Sequence, residues 1–200
     1  MDTMFFDQAA KTWSTPHRIK KLQEIASLLL EKIPNASSKK ALEIGSGDGT
    51  LALLFSPYLH SIDGIDTSLG MREEAMTKKE QASVSNVFFY DETWLKNRPE
   101  SYDILYSHKA FHHIQDIPGE LSMLHGLARP HARFFLMDLC PIPPSFHKGV
   151  PGFTGHHGFS KEEISRYFTQ TGWEIESYEI IEKGIKEGEP FEIFLLTAKK

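Results

Sequence analysis

A single cysteine, Cys140, stands in a chain of 200 residues. It excludes an internal disulfide and any zinc site built from several cysteines, and it fits a reducing compartment. No stretch approaches the ~18 consecutive apolar residues that a membrane-spanning helix needs, and the opening MDTMFFDQAAKTW lacks the apolar core of a secretory signal. A cytoplasmic protein with no membrane partner is therefore expected. An excess of basic charge is missing too. Against 22 Lys and Arg stand 27 Asp and Glu, a formal net charge of -5, which gives no general pull toward nucleic acid. Internal repeats and low-complexity tracts are also lacking, which excludes solenoid architectures.

What is present is an alternation of short apolar runs with amphipathic segments. From His17 to Ile33 the residues Ile19, Leu22, Ile25, Ala26, Leu29 and Leu30 recur at helical spacing, with Pro16 as a start and Pro34 as a stop. KALEIG reads as a buried strand, followed by a helix from about Gly49 to Pro57. HSIDGID, NVFFY, YDILYSH and ARFFLMDL read as further strands, separated by helices in SLGMREEAMTKKEQA and from about Asp116 to Ala128. Strand and helix taking turns argues for a parallel sheet covered by helices on both faces. After a helix in SKEEISRYFTQTG the pattern changes. WEIESYEIIE and FEIFLLTAKK are two strands joined by the polar KGIKEGEP, an antiparallel pair closing one sheet edge. No boundary divides the chain, so residues 1–200 read as one domain.

The stretch ALEIGSGDGT sets three glycines, Gly45, Gly47 and Gly49, between a strand and a helix. There the backbone can turn tightly and approach a ligand where a Cβ would obstruct it. A triphosphate loop would need a lysine and a hydroxyl residue after the last glycine, and Asp48-Gly49-Thr50-Leu51 offers no lysine. A dinucleotide loop runs G-x-G-x-x-G, but here the third glycine comes one residue early. Glu43 and Asp48 would repel a pyrophosphate but suit an ammonium or sulfonium group.

EIGSGDG resembles the glycine-rich motif of the class I S-adenosylmethionine-dependent methyltransferases. Asp66 in SIDGID, the following TSLGM, Asp91 in NVFFYDET and the segment YDILYSHKAFHHIQD resemble later motifs of that superfamily's small-molecule branch. The resemblance implies a Rossmann-like α/β fold with a seven-stranded, mostly parallel sheet in the order 3-2-1-4-5-7-6, strand 7 antiparallel and helices on both sides. It implies S-adenosylmethionine as cofactor and a small-molecule acceptor of its methyl group. The cofactor residues it implies are Glu43, Gly45, Ser46, Gly47, Gly49, Asp66, Thr67, Met71, Asp91, Glu92 and Ser107. Asp66 would accept from the ribose hydroxyls, Met71 would pack near the adenine, and Asp91 would accept from its amino group. FFDQAAKTWSTPHRIKKLQEIA resembles a preface seen in one branch, with Trp13 and Arg18 recurrent, so residues 1–34 are expected to form a helical cap. Two other classes stay open: a module that binds the adenosyl cofactor without catalysis, and an NAD-dependent oxidoreductase.

The irregular segment from Pro141 to Gly158 is long for a compact domain and reads as an active-site loop. With Asp138 just before it, this loop carries His147, His156 and His157. His112, Asp138 and His147 are the candidates for general base, a duty needed only where the acceptor atom must lose a proton. No metal is assigned. His147, His156 and His157 are the alternative ligand set, because neutral imidazole suits zinc, iron or manganese.

Overall fold

The computed structural model describes residues 3–96 and 99–200. These fall into two compact units, one within residues 3–96 and one within residues 99–200.

In the N-terminal unit the apolar runs become β1 (Lys40–Ile44), β2 (Ser61–Ile65) and β3 (Val87–Tyr90), with β1 parallel to β2 and β2 parallel to β3. Between them lie α3 (Thr50–Phe55) and α4 (Leu69–Gln81). Ahead of the sheet come α1 (Met4–Ala9) and α2 (Pro16–Lys32). α2 starts where Pro16 and the Thr15 hydroxyl together serve its first turn: Thr15 Oγ1 accepts from the Arg18 amide at 3.3 Å. Its Leu22, Ile25, Ala26 and Leu29 are buried, the stripe expected from their spacing. α1 has six residues and no periodicity long enough to announce it. It is placed by Asp7, whose carboxylate accepts from the Ser68 hydroxyl at 2.6 Å and the Gly70 amide at 2.9 Å at the start of α4.

The C-terminal unit holds β4 (Tyr102–His108), α5 (Ile117–Leu127), β5 (Ala128–Leu139), α6 (Lys161–Gln170), β6 (Glu174–Lys186) and β7 (Glu189–Lys199). β4 and β5 are parallel, and β7 runs antiparallel to both β5 and β6. Phe134, Phe135, Phe168, Trp173 and Phe194 are buried in its core. The strand order is β3-β2-β1-β4-β5-β7-β6, which is the expected order, with the seventh strand antiparallel as expected.

Two boundaries differ from the expectation. β5 begins at Ala128 instead of Ala132, because Ala128 pairs with Tyr102 before a register shift leads to the Ile104–Arg133 pair. The eight residues KGIKEGEP are not a loop. Pairing continues to Lys186 and Glu189, and the chain reverses on Glu187 (φ 49°) and Gly188 (φ 86°), the two left-handed residues of a tight hairpin.

Candidate functional site

In the N-terminal unit the loop after β1 is tied to the end of β2. The amides of Gly45 and Ser46 both donate to the Ile65 carbonyl, at 2.8 and 2.9 Å. One residue further, the Asp66 carboxylate takes the Gly47 amide at 2.7 Å on one oxygen and the Ser68 amide at 2.8 Å on the other. Burial outweighs these bonds and pushes its pKa above the ordinary aspartate value. Arg72 donates to the Asp66 carbonyl at 2.7 Å, so the turn is held from both sides. Gly49 has φ 75°, and a Cβ there would stand 2.5 Å from the Phe89 ring and 2.8 Å from Ala75, so both conformation and space require glycine. Ser46 is 6% exposed, and its hydroxyl has no hydrogen-bond partner among the described residues.

Asp48 does not fill the expected role of a free acidic flank. Its carboxylate accepts from Lys78 at 2.6 Å, Ser14 at 2.5 Å and the Thr50 hydroxyl at 2.9 Å. Burial opposes its ionisation, but Lys78, Ser14 and Thr50 outweigh that and hold the pKa below the ordinary value. Its charge is therefore already matched on the protein, and its work is to fasten the segment before α2 and the body of α4 to the glycine loop. Glu43 is 3% exposed at the penultimate position of β1.

Over this loop stands Trp13. Its Nε1 lies 3.8 Å from where a Cβ of Gly47 would be, Phe6 meets its ring edge-on at 5.6 Å, and the Arg18 guanidinium lies 3.9 Å from the ring centroid. Spacing could not have revealed the fastening, because Ser14 and Lys78 lie 34 and 30 residues from Asp48.

The remaining cofactor candidates divide. Thr67 is exposed next to Asp66. Met71 is 1% exposed on the buried side of α4, and so it packs in the core. Asp91 is exposed and caps the turn Glu92–Leu95, accepting from the Thr93 amide at 2.9 Å and its hydroxyl at 2.5 Å. These bonds hold its pKa below the ordinary value. Glu92 is exposed in the same turn. A hollow of about 260 Å³ is lined by Arg72, Phe89, Tyr90, Asp91, Thr93 and Trp94. Its size admits part of a nucleoside, since sites that enclose whole ligands run to roughly 300–1,000 Å³.

In the C-terminal unit Ser107 is fully buried near the end of β4. Beyond that strand the structure brings His112, Asp138 and His147 together. Asp138 is fully buried at the end of β5. One of its oxygens meets His112 Nδ1 at 2.6 Å and the Leu139 amide at 2.7 Å, and the other takes the His112 amide at 3.2 Å. Burial pushes the carboxyl up, but the His112 charge and these hydrogen bonds outweigh it and keep the pKa low. A carboxylate at Nδ1 accepts a hydrogen bond from the N–H of that nitrogen, which in a neutral ring leaves Nε2 with its lone pair.

His147 lies 5.2 Å from the His112 ring and stacks on Phe153 at 3.9 Å. Its Nδ1 is 3.3 Å from His157 Nδ1. His156 does not join this pair. Its ring packs on Phe159, and its amide donates to the His112 carbonyl at 2.7 Å, sewing the loop to the dyad. Among the described residues no group of three or more His, Cys, Asp or Glu side chains is placed to hold a metal ion. Burial and neighbouring histidines push His113 down to about 3 and His147 down to about 4, so both rings stay neutral near pH 7.

A family model described as a methyltransferase domain matches residues 15–178. The uncharacterized methyltransferase YcgJ of Bacillus subtilis is 30% identical over 117 residues, 58% of this chain and 46% of that protein. Phosphoethanolamine N-methyltransferase 1 of Arabidopsis thaliana is 25% identical over 149 residues, 72% of this chain and 30% of that protein. The chain thus spans about half or less of the length of these curated relatives. Among solved structures, YcgJ aligns with a TM-score of 0.71 at 20% identity, covering 88% of this chain and 97% of that one. A SAM-dependent methyltransferase from Aquifex aeolicus aligns with a TM-score of 0.70 at 17% identity, covering 95% of this chain and 97% of that one. No helix among the described residues is long and apolar enough to cross a membrane.

Proposed function

This chain belongs to the methyltransferase-domain family, and from that premise we propose that it transfers the methyl group of S-adenosylmethionine to a small-molecule acceptor. The observation that carries this reading is the Asp66 carboxylate, pinned by the Gly47 and Ser68 amides beside the glycine loop. Each oxygen accepts one backbone N–H and retains a second lone pair, so a pair of ribose hydroxyls finds two acceptors already oriented. The residues present fit the cofactor. Gly45, Gly47 and Gly49 give close backbone approach, Ser46 has a buried hydroxyl without a hydrogen-bond partner among the described residues, and Thr67 follows Asp66. Asp91 borders the hollow next to Tyr90 and Trp94, and with Glu92 in the same turn it is assigned to the adenine. Glu43 supplies negative charge suited to the cofactor's cationic amino group or sulfonium.

The cofactor, when bound, supplies an electrophilic methyl group whose transfer neutralises the sulfonium. The protein's part is to align reactants and handle one proton. His112 Nε2 takes the proton from the acceptor atom, and Asp138 holds the Nδ1 proton in place and stabilises the imidazolium that results. His147 packs against the dyad as a neutral ring that does not compete for the proton.

The test is methyl transfer from label-bearing cofactor across a panel of small hydroxyl, thiol and amine compounds. Wild-type protein is expected to give a labelled product, with kcat falling at least ~10²-fold in His112→Gln and the cofactor affinity unchanged. Wild-type rates in His112→Gln would remove the base, and cofactor binding without turnover on any acceptor would make the chain a binding module.

A further inference from the structure

The side chain of His112, the proposed base, is only 5% exposed, so an acceptor atom reaches its Nε2 only when part of its cover gives way. Three rings crowd this imidazole, with centroids 4.2 Å (His113), 5.2 Å (His147) and 6.3 Å (Phe153) away. They are not held alike. His113 closes the short turn Phe111–His113 beside the dyad. His147 ends the turn Pro144–His147, which Lys186 on β6 fastens by donating to the Phe146 carbonyl at 3.1 Å, with its Nζ 4.4 Å from the Phe146 ring centroid. Phe153 instead follows Pro151 and Gly152, both exposed, and Gly152 takes φ 66° with open space where a Cβ would stand. The Phe153 amide donates to the Val150 carbonyl at 3.3 Å, within the same turn. Thr154 anchors the far side through Gln115 at 2.7 Å. Phe153 is therefore the ring that can leave, swinging on the Val150 to Gly152 side.

The place that Phe153 fills suits a flat ring. His147 lies nearly parallel to it at 3.9 Å, with 12° between the planes. His113 meets it almost perpendicular at 5.4 Å and 78°, and His157 flanks it at 5.3 Å. Stacked and edge-on contacts are the arrangements by which aromatic pairs gain beyond their buried area. The walls carry no spare charge: His113 and His147 are neutral near pH 7, Asp138 is taken by His112 and the Leu139 amide, and Lys186 is turned to Phe146. These groups offer no counter-charge to a phosphate, a carboxylate or an ammonium, and stripping water from an unpaired charge costs free energy.

We propose that the place held by Phe153 is the acceptor subsite, and that the acceptor is an uncharged phenol whose ring displaces Phe153 against His147 and whose O–H donates to His112 Nε2. This rests on the reading of His112 as the base. A phenolic O–H, with a pKa of about 10, loses its proton to an imidazole far more readily than an alkyl alcohol does. On transfer that proton passes to Nε2 as the oxygen–carbon bond forms and the carbon–sulfur bond of the sulfonium breaks. Phe153 is then a resident competitor, which lowers the apparent affinity by the fraction of molecules in which it fills the place.

The experiment titrates the full chain and its Phe153→Ala and Phe153→Trp variants with para-cresol, with its saturated analogue para-methylcyclohexanol and with para-cresyl phosphate, followed by the histidine ring signals in NMR spectra. Wild type is expected to bind para-cresol at least about threefold more tightly than the saturated alcohol, the effect of a stacked ring pair. It should bind the phosphate ester at least about tenfold more weakly than para-cresol, because the dianion meets no partner. Phe153→Ala is expected to lower the Kd for para-cresol at least about threefold by vacating the place, and Phe153→Trp to raise it. An unchanged or higher Kd in Phe153→Ala would overturn the proposal, since the ring would then be a wall or lie elsewhere. So would equal binding of para-cresol and the saturated alcohol, a preference for the ester, or no binding of para-cresol at all. Failure of the base reading shows separately, as wild-type methyl transfer by His112→Gln, whereas these titrations read binding alone, and circular dichroism melts confirm that each variant is folded.

Discussion

Replacing Asp138 with alanine is expected to lower the stability of the fold by about 3–5 kcal/mol, the cost of leaving several buried hydrogen-bond donors without their charged acceptor. The carboxylate is fully buried and meets His112 Nδ1, the His112 amide and the Leu139 amide, so alanine leaves three donors without an acceptor. Small domains are stable by about 5–15 kcal/mol in total, so urea melts should show the midpoint falling sharply. The double variant Asp138→Ala with His112→Ala is expected to cost less than the sum of the singles, because the two share one interaction.

The pH dependence has a definite sign. Because the folded-state pKa of Asp138 is depressed, its stabilisation is complete above the unfolded value of about 3.9 and is lost as pH falls through the folded value. The difference between wild type and Asp138→Ala should therefore hold from pH 8 down to about pH 5 and shrink below pH 4. A cost under about 1 kcal/mol would mean the dyad does not hold this part of the chain together.

The second large effect falls on ligand affinity. Asp66→Asn is expected to weaken adenosylmethionine binding by at least about a hundredfold, because two hydrogen bonds to a charged acceptor contribute roughly 1.5–3 kcal/mol each. Asparagine is nearly isosteric, but one of its two positions now donates. It therefore faces the Gly47 or Ser68 amide as a like group, and one ribose hydroxyl loses its acceptor as well. The wild type should discriminate against a cofactor analogue lacking the ribose 2′-hydroxyl, and the variant should lose that discrimination. An affinity within threefold of wild type would remove Asp66 from the cofactor site.

Local signals made the architecture legible. Apolar runs bounded by glycines and prolines announced β1 to β4, and the KGIKEGEP connection announced a reversal, although the strands extend through it to a turn on Glu187 and Gly188. Most of those residues are polar or exposed, and only their pairing across the hairpin makes them strand. Long-range pairings were not legible. Asp48 carried the right sign for a cationic ligand, but Lys78 on α4 neutralises it from 30 positions away. His112 and Asp138 were each visible as chemistry-bearing residues, whereas their 2.6 Å contact spans 26 positions and depends on how β5 ends. Met71 shows the limit of a motif. At 1% exposure it belongs to the core, and nothing in TSLGM distinguishes a ligand contact from packing. Trp13 and Arg18 stand five positions apart in the sequence, and their stacking at 3.9 Å beside the glycine loop is a contact no sequence displays.

The most direct test of the central claim is an equilibrium titration of the full chain with S-adenosylhomocysteine and NAD side by side. Saturable one-site binding of S-adenosylhomocysteine, displaced by S-adenosylmethionine and indifferent to NAD, is the expected result. Tight binding of NAD with none of either adenosyl compound would contradict it and return the glycine loop to a dinucleotide.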